Sequence, residues 1–149
     1  MYKSILVATD GTKFSGAATR EAAKLARKFG SKLVLFYAAP HLHLPALSEG
    51  LSAPARTDER KNAMMQMEAE AEKILASAAT GVNLEGVTFE KQFTVSDSPY
   101  EAILEAAKMF NCELIVMGSH GRSGISAVLL GSVTHKVLTH STLPVMVVR

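Results

Sequence analysis

The sequence predicts an α/β domain built on a mostly parallel sheet with helices on both faces. Two observations carry this. Short apolar runs recur along the chain, and longer stretches with helical spacing separate them, several of these closed by a glycine or proline. Strands alternating with helices imply right-handed crossovers and hence parallel pairing.

Four runs, residues 5–8, 33–37, 114–117 and 145–148, are apolar throughout, as strands covered on both faces must be. A fifth, residues 88–95, alternates Phe89, Phe93 and Val95 with Glu90 and Gln92, while Lys91 interrupts the apolar face. One half-wet face fits an edge strand. Between the first two runs, residues 15–29 place Ala18, Ala22, Leu25, Ala26 and Phe29 on one helical stripe, and Gly30 is positioned to stop it. A second stripe comprises Met64, Met67, Ala71, Ile74, Leu75 and Ala78, followed by Gly81. Met64, Met65 and Met67 are expected to pack in the core or under a lid. Ser98-Pro99-Tyr100-Glu101 reads as a capping box with proline at the first helical position, and Ile103, Ala106, Ala107 and Phe110 follow as the buried face. A shorter helix is expected over residues 131–139. Residues 41–57, with Pro45, Gly50 and Pro54, exceed the usual connection length and are expected to be flexible.

The chain of 149 residues is one domain's worth and long enough to bury a core without disulfides. Its 48% hydrophobic and 20% charged residues are those of a soluble globule. A net charge of +2 speaks against a partner with a phosphodiester backbone, and three Tyr, six Phe and no Trp leave few surfaces for stacking bases. The lone Cys112 forms no internal disulfide and is expected to pack as a small apolar residue. The apolar stretch near the N-terminus is too short for a signal peptide or a membrane span, so a cytoplasmic location is expected.

Open parallel sheets bind ligands beyond the carboxyl ends of their strands, where strand order reverses. Two such ends carry suitable residues. The first strand runs into Thr9-Asp10-Gly11, and the fourth into Gly118-Ser119-His120-Gly121-Arg122-Ser123-Gly124, with Gly131-Ser132-Val133-Thr134 further on. Glycines let successive N–H groups converge on phosphate oxygens, and a helix starting at Ser132 adds the positive end of its dipole. Ser132 and Thr134 supply hydroxyls, and Arg122 and Lys136 are nearby cations. Asp10 suits either a ribose hydroxyl or a phosphate-bound divalent ion. Neither common nucleotide motif is present: Gly81-x4-Gly86 lacks the following lysine, and Asp10-Gly11-Thr12-Lys13 is no dinucleotide fingerprint. His120 and His135 read as a loop and a helix-surface residue, His41 and His43 as solvated loop residues. No nucleophile or general base is assigned.

Gly118-x2-Gly121-x9-Gly131-Ser132 resembles the glycine motif of the ATP-binding universal stress proteins. The opening residues 5–10, Ser15 and the closing 143–148 are also similar to that family, so the resemblance spans the chain. It implies a Rossmann-like, adenine nucleotide alpha hydrolase-like fold with strand order 3-2-1-4-5, and a homodimer through the last strand, Val145–Val148. It implies an adenine and ribose side at Ala8, Thr9 and Asp10, with Ala38 flanking the base. Met117 and Gly118 would lead into a phosphate site of Gly121, Gly131, Ser132, Val133 and Thr134, with Arg122 beside it. Departures are Ala8, where some members carry proline, and Asp97-Ser98-Pro99 in place of Gly-x-Pro.

The expected function is that of an ATP-binding, homodimeric regulatory or protective module in a stress response, with ATP or another adenine nucleotide held together with Mg or Mn near Asp10. It would act on a regulatory partner that the sequence does not name. The alternatives are slow Mg-dependent ATP hydrolysis or phosphoryl transfer at the same site, and a nucleotide-free dimeric scaffold.

Overall fold

The computed structural model describes residues 1–41, 50, 52–121 and 129–149. Among these, the chain runs β1 (Ser4–Ala8), α1 (Lys13–Phe29), β2 (Lys32–Ala39), α2 (Ala53–Thr80), β3 (Phe89–Val95), α3 (Pro99–Met109), β4 (Leu114–Gly118), α4 (Ser132–His140) and β5 (Val145–Val148). The strands form one sheet, ordered β3-β2-β1-β4-β5, and every pairing is parallel. The order expected from the resemblance and the alternation of strands and helices is therefore the observed fold.

The strands that read as apolar throughout lie at the centre. Ile5, Leu6 and Val7 of β1, and Leu33, Val34 and Leu35 of β2, are fully buried. Successive side chains of a strand point to opposite faces, so the core divides in two. Ile5, Val7, Leu35 and Tyr37 pack under α1 and α2 with Ala22, Ala26, Ile74 and Leu75. Leu6, Val34, Phe36 and Met117 pack under α3 and α4 with Ile103, Ala106 and Val137. Each fully buried Val, Leu, Ile or Phe stabilises the fold by roughly 1.5–3 kcal/mol. As expected, β3 is an edge strand. Its charged side chains pair with neighbours, Lys91 with Glu72, and Glu90 with Lys32 at 2.9 Å.

Local chemistry sets the helix ends. The Thr12 hydroxyl accepts the Ser15 N–H at the start of α1, and Gly30 closes the helix at φ +67°, a left-handed conformation that favours glycine. The small residues Ala18, Ala22, Ala23 and Ala26 let α1 lie close on the sheet. Phe29 is instead at the rim, edge-on to Tyr2 with ring centroids 6.4 Å apart.

Three further expectations are corrected. Helix α2 starts at Ala53 with Pro54 in its first turn, so residues 53–57 are helical rather than part of a flexible connection; residues 42–49 and 51 lie outside the described residues. Met64 and Met65 are more than half exposed, because only the C-terminal half of α2, around Ala71, Ile74 and Leu75, reaches the sheet. The capping box does not form: the Ser98 side chain caps nothing, and Glu101 accepts from the Tyr100 hydroxyl. Ser96 takes over locally, its hydroxyl accepting the Ser98 N–H at 3.0 Å. No helix among the described residues is long and apolar enough to cross a membrane.

Candidate functional site

Strand order reverses between β1 and β4, since β1 leads leftward to β2 and β4 rightward to β5. The crossovers leave on opposite faces there, which opens a crevice beyond the carboxyl ends. A cavity of about 320 Å³ occupies it.

At the end of β1 the chain turns sharply. The Asp10 carboxylate accepts from both the Thr12 N–H at 3.0 Å and the Thr12 hydroxyl at 2.6 Å. Ser15 is buried beneath this turn; its hydroxyl donates to the Thr12 carbonyl at 3.0 Å and accepts from the Thr9 hydroxyl at 3.3 Å. Asp10 is thus fixed at the rim by its own loop.

The glycines of the second limb are required by space. A Cβ on Gly118 would lie 2.8 Å from the Phe14 carbonyl carbon, so the first turn of α1 rests directly on the end of β4. A Cβ on Gly121 would come within 3.1 Å of the Asp10 carboxylate, and one on Gly131 within 3.2 Å of the His120 Cα. The glycine spacing therefore brings three backbone segments and one carboxylate to near contact. Hydrogen bonds fix them: Gly131 N–H to the Ser119 carbonyl at 2.8 Å, Thr134 hydroxyl to the Gly118 carbonyl at 2.9 Å, and Ser119 N–H to the Val148 carbonyl at 2.8 Å. Thr134 is buried, so its hydroxyl is a tie between α4 and β4 rather than a spare donor.

Helix α4 begins at Ser132 with Gly131 as N-cap, and no side chain among the described residues caps it. Its first-turn residues Ser132, Val133 and Thr134 line the cavity, so the positive end of the helix dipole lies there with no side-chain cap among the described residues. At the other end the walls are apolar: Phe36, Ala38 and Pro40 from β2 and its exit, Pro99 and Ile103 from α3, and Met117 from β4. One end suits an anion and the other a flat apolar ring.

Of the residues picked out from sequence, Ala8, Thr9, Asp10, Ala38, Met117, Gly118, Gly121, Gly131, Ser132, Val133 and Thr134 all line this cavity. Arg122 lies outside the described residues. Lys136 does not line the cavity; its ammonium sits 5.4 Å from the centre of the Tyr100 ring. His135 is exposed on α4, as expected. Sequence reasoning did not assign Ser15, Phe36, Tyr37, Pro40, Pro99, Ile103 or His120 to the site. Phe36 and Tyr37 lie in the C-terminal half of β2, and Ser15, Pro40, Pro99 and His120 lie beyond a strand's end or at the start of a helix, so applying the rim rule to β2 and β3 as well would have found most of them.

No group of three His, Cys, Asp or Glu side chains among the described residues can hold a metal ion by itself. Asp10 is the one carboxylate among the described residues that line the cavity. A divalent ion would fit there only as a companion of phosphate oxygens, whose charge it would offset. His41 pairs with Asp97 at 3.0 Å, and His43 lies outside the described residues. Cys112 is buried in the α3/α4 half of the core beside the Ser4 hydroxyl, and burial pushes its thiol pKa up.

The universal stress protein family model matches residues 1–149. Universal stress protein YxiE of Bacillus subtilis is 34% identical over 152 residues, with both chains covered in full. The solved structure of MJ0577, a universal stress protein of Methanocaldococcus jannaschii, superposes with a TM-score of 0.78 at 27% identity, covering 99% of this chain and 96% of that one. A universal stress protein solved in complex with cAMP superposes with a TM-score of 0.61 at 25% identity, covering 99% of this chain and 97% of the other. With its strand order, its glycine spacing and its full-length match in agreement, the chain belongs to the universal stress protein family.

Proposed function

We propose that this protein binds ATP or another adenine nucleotide in the crevice between β1 and β4 and works as a nucleotide-responsive regulatory or protective module. The observation that carries this is the two-ended cavity: an uncapped helix start and a glycine loop at one end, Phe36, Ala38, Ile103 and Met117 at the other. The purine stacks in the apolar end, the ribose lies by Thr9 and Asp10, and the phosphates meet the amides of Gly121, Gly131, Ser132 and Val133. Mg or Mn travels with the phosphates near Asp10. The cAMP complex of a similar protein supports an adenine ligand.

A homodimer through β5 is part of the same reading. β5 pairs only with β4, leaving its outer edge without a strand among the described residues, and Met146 on it is 38% exposed. Leu138 of α4 and Leu130 are exposed as well. Pairing with a second copy covers an edge that would otherwise invite aggregation.

Mass spectrometry of the small molecules released from purified protein on denaturation tests the reading, together with the thermal shift on adding MgATP. An adenine nucleotide, or a rise in Tm with MgATP, is expected. No retained adenine compound and no shift at millimolar MgATP would leave the scaffold alternative.

A further inference from the structure

The buried residues of α2 are Ala71, Ile74 and Leu75, all in its C-terminal half; residues 53–70 contain none. At 1.5 Å per residue, that is about 27 Å of helix with no seat on the sheet. A helix in water draws most of its stability from packing one face against something else. α2 meets β2 and β3 at one end of the sheet, whereas β5 forms the other, and no α2 residue lines the nucleotide cavity. This surface is therefore separate from both the outer strand and the crevice.

One side of that half-helix carries apolar side chains in open solvent. Met64 and Met65 are 57% and 59% exposed, and they stand between Lys61 and Glu68, which are exposed as well. At about 100° per residue the four side chains fall within roughly 100° of arc, the two charges along its middle and a methionine on each side. Lys61 and Glu68 are two turns apart, about 10.5 Å, too far to meet each other. Neither has an ion-pair partner among the described residues.

Charge decides what fits there. A second copy of α2 laid parallel would set Lys61 on Lys61 and Glu68 on Glu68. Laid antiparallel, with a two-fold axis between residues 64 and 65, it sets Lys61 opposite Glu68 twice. The same register gathers all four methionines around the axis, because 61 with 68 and 64 with 65 share one midpoint. The neighbouring charges are compatible with it. Glu59 and Glu70 lie on the far side of the helix, and Glu72, at the end of the seam, is already paired with Lys91.

We propose that the N-terminal half of α2 is a docking surface for a second copy of this chain, antiparallel, with Met64 and Met65 at the centre and two Lys61–Glu68 pairs flanking them. The flexible, polarisable methionine side chains fill such a seam without a preformed pocket. The seam is much smaller than the roughly 1,600 Å² of a standard stable interface, so it closes only at concentrations on the order of 100 μM. It lies at the opposite end of the sheet from β5 and does not compete with a contact through that strand.

Sedimentation equilibrium of the full chain from about 10 to 500 μM at low salt tests this, using wild type, Lys61→Glu, Glu68→Lys and the double exchange. Whatever unit exists at the lowest concentration, the wild-type mass is expected to rise above it. Each single reversal puts like charges face to face twice and should weaken the association roughly tenfold or more. The double exchange restores both pairs and should recover it. All four positions are solvent-exposed, so Tm and the response to MgATP should stay unchanged. Cross-linking with a short bis-maleimide gives a second readout: Met65→Cys should yield a covalent dimer, and Gln66→Cys, about 140° from Lys61 around the helix, should not. A mass that stays flat, single reversals that associate like wild type, a double exchange that recovers nothing, or equal cross-linking at 65 and 66 would overturn the proposal.

Discussion

Replacing Gly131 by alanine separates the space requirement of the glycine loop from its backbone conformation. Gly131 has φ −58° and ψ 150°, which any residue adopts, so the substitution brings no dihedral strain. What it brings is one carbon 3.2 Å from the His120 Cα and 3.4 Å from the Gly121 nitrogen and the Ser119 oxygen, all of them backbone. Relaxed carbon contacts lie near 3.5–4.0 Å, so the limb from Ser119 to Gly121 must retreat by a few tenths of an ångström. Forcing an extra carbon into a packed site costs about 1–3 kcal/mol. Retreat of the limb relieves that cost in the free protein, whereas a ligand gathered between Gly121 and Ser132 reinstates it. Affinity for MgATP should therefore fall roughly 5- to 150-fold, while Tm changes by only a few degrees. Calorimetric titration and differential scanning calorimetry of the same samples read both quantities. Gly16→Ala is the control: its added Cβ meets only the Arg20 guanidinium at 3.7 Å, so it should leave affinity unchanged. Wild-type affinity in Gly131→Ala would refute the reasoning.

Gly118→Ala should act on stability instead, because its Cβ would meet α1 backbone at 2.8 Å; a loss of about 1–3 kcal/mol is expected, read as a lower urea midpoint. Leu75→Ala, at a fully buried position of α2, should cost about 2–5 kcal/mol by the same measurement and leave nucleotide affinity per folded molecule intact. Met146→Lys on the outer strand should shift the sedimentation profile from dimer to monomer, and an unchanged dimer would place the interface elsewhere. Burial raises the Cys112 pKa above its unfolded value, so the folded state holds the proton longer. Its contribution is complete below the unfolded pKa and declines as pH rises toward the folded one, so stability should fall in mildly alkaline solution more for wild type than for Cys112→Ala. Equal slopes in urea titrations between pH 8 and 10 would count against this.

The sheet was legible because burial on both faces leaves an unmistakable trace: residues 33–37 and 114–117 contain no charged side chain and no polar group but the Tyr37 hydroxyl, and the structure buries them completely or nearly so. The edge position of β3 was legible for the complementary reason, its alternation of Phe93 and Val95 with Glu90 and Gln92. Strand order was not readable from the patterns themselves and came from the resemblance. The misread features are those that local pattern does not settle. Met64 and Met65 look like core residues, but α2 runs beyond the sheet before it reaches Ala71. Ser98 looks like a cap, but Ser96 competes for the Ser98 N–H. At the site, the glycine limb was marked by spacing, whereas the apolar end is made of ordinary core residues such as Phe36 and Ile103. Nothing in their type distinguishes a cavity wall from a packed interior; only the crossover geometry does.

Amide chemical-shift mapping with ¹⁵N-labelled protein poses the sharpest question: where does each half of the ligand sit? MgATP should move the resonances of Gly121, Gly131, Ser132 and Val133, and adenosine should move those near Ala38, Ile103 and Met117 while leaving the α4 start nearly still. Saturating MgATP that leaves the Gly131–Val133 amides unmoved, or that perturbs a different face of the sheet, would contradict the assignment of this crevice to a nucleotide.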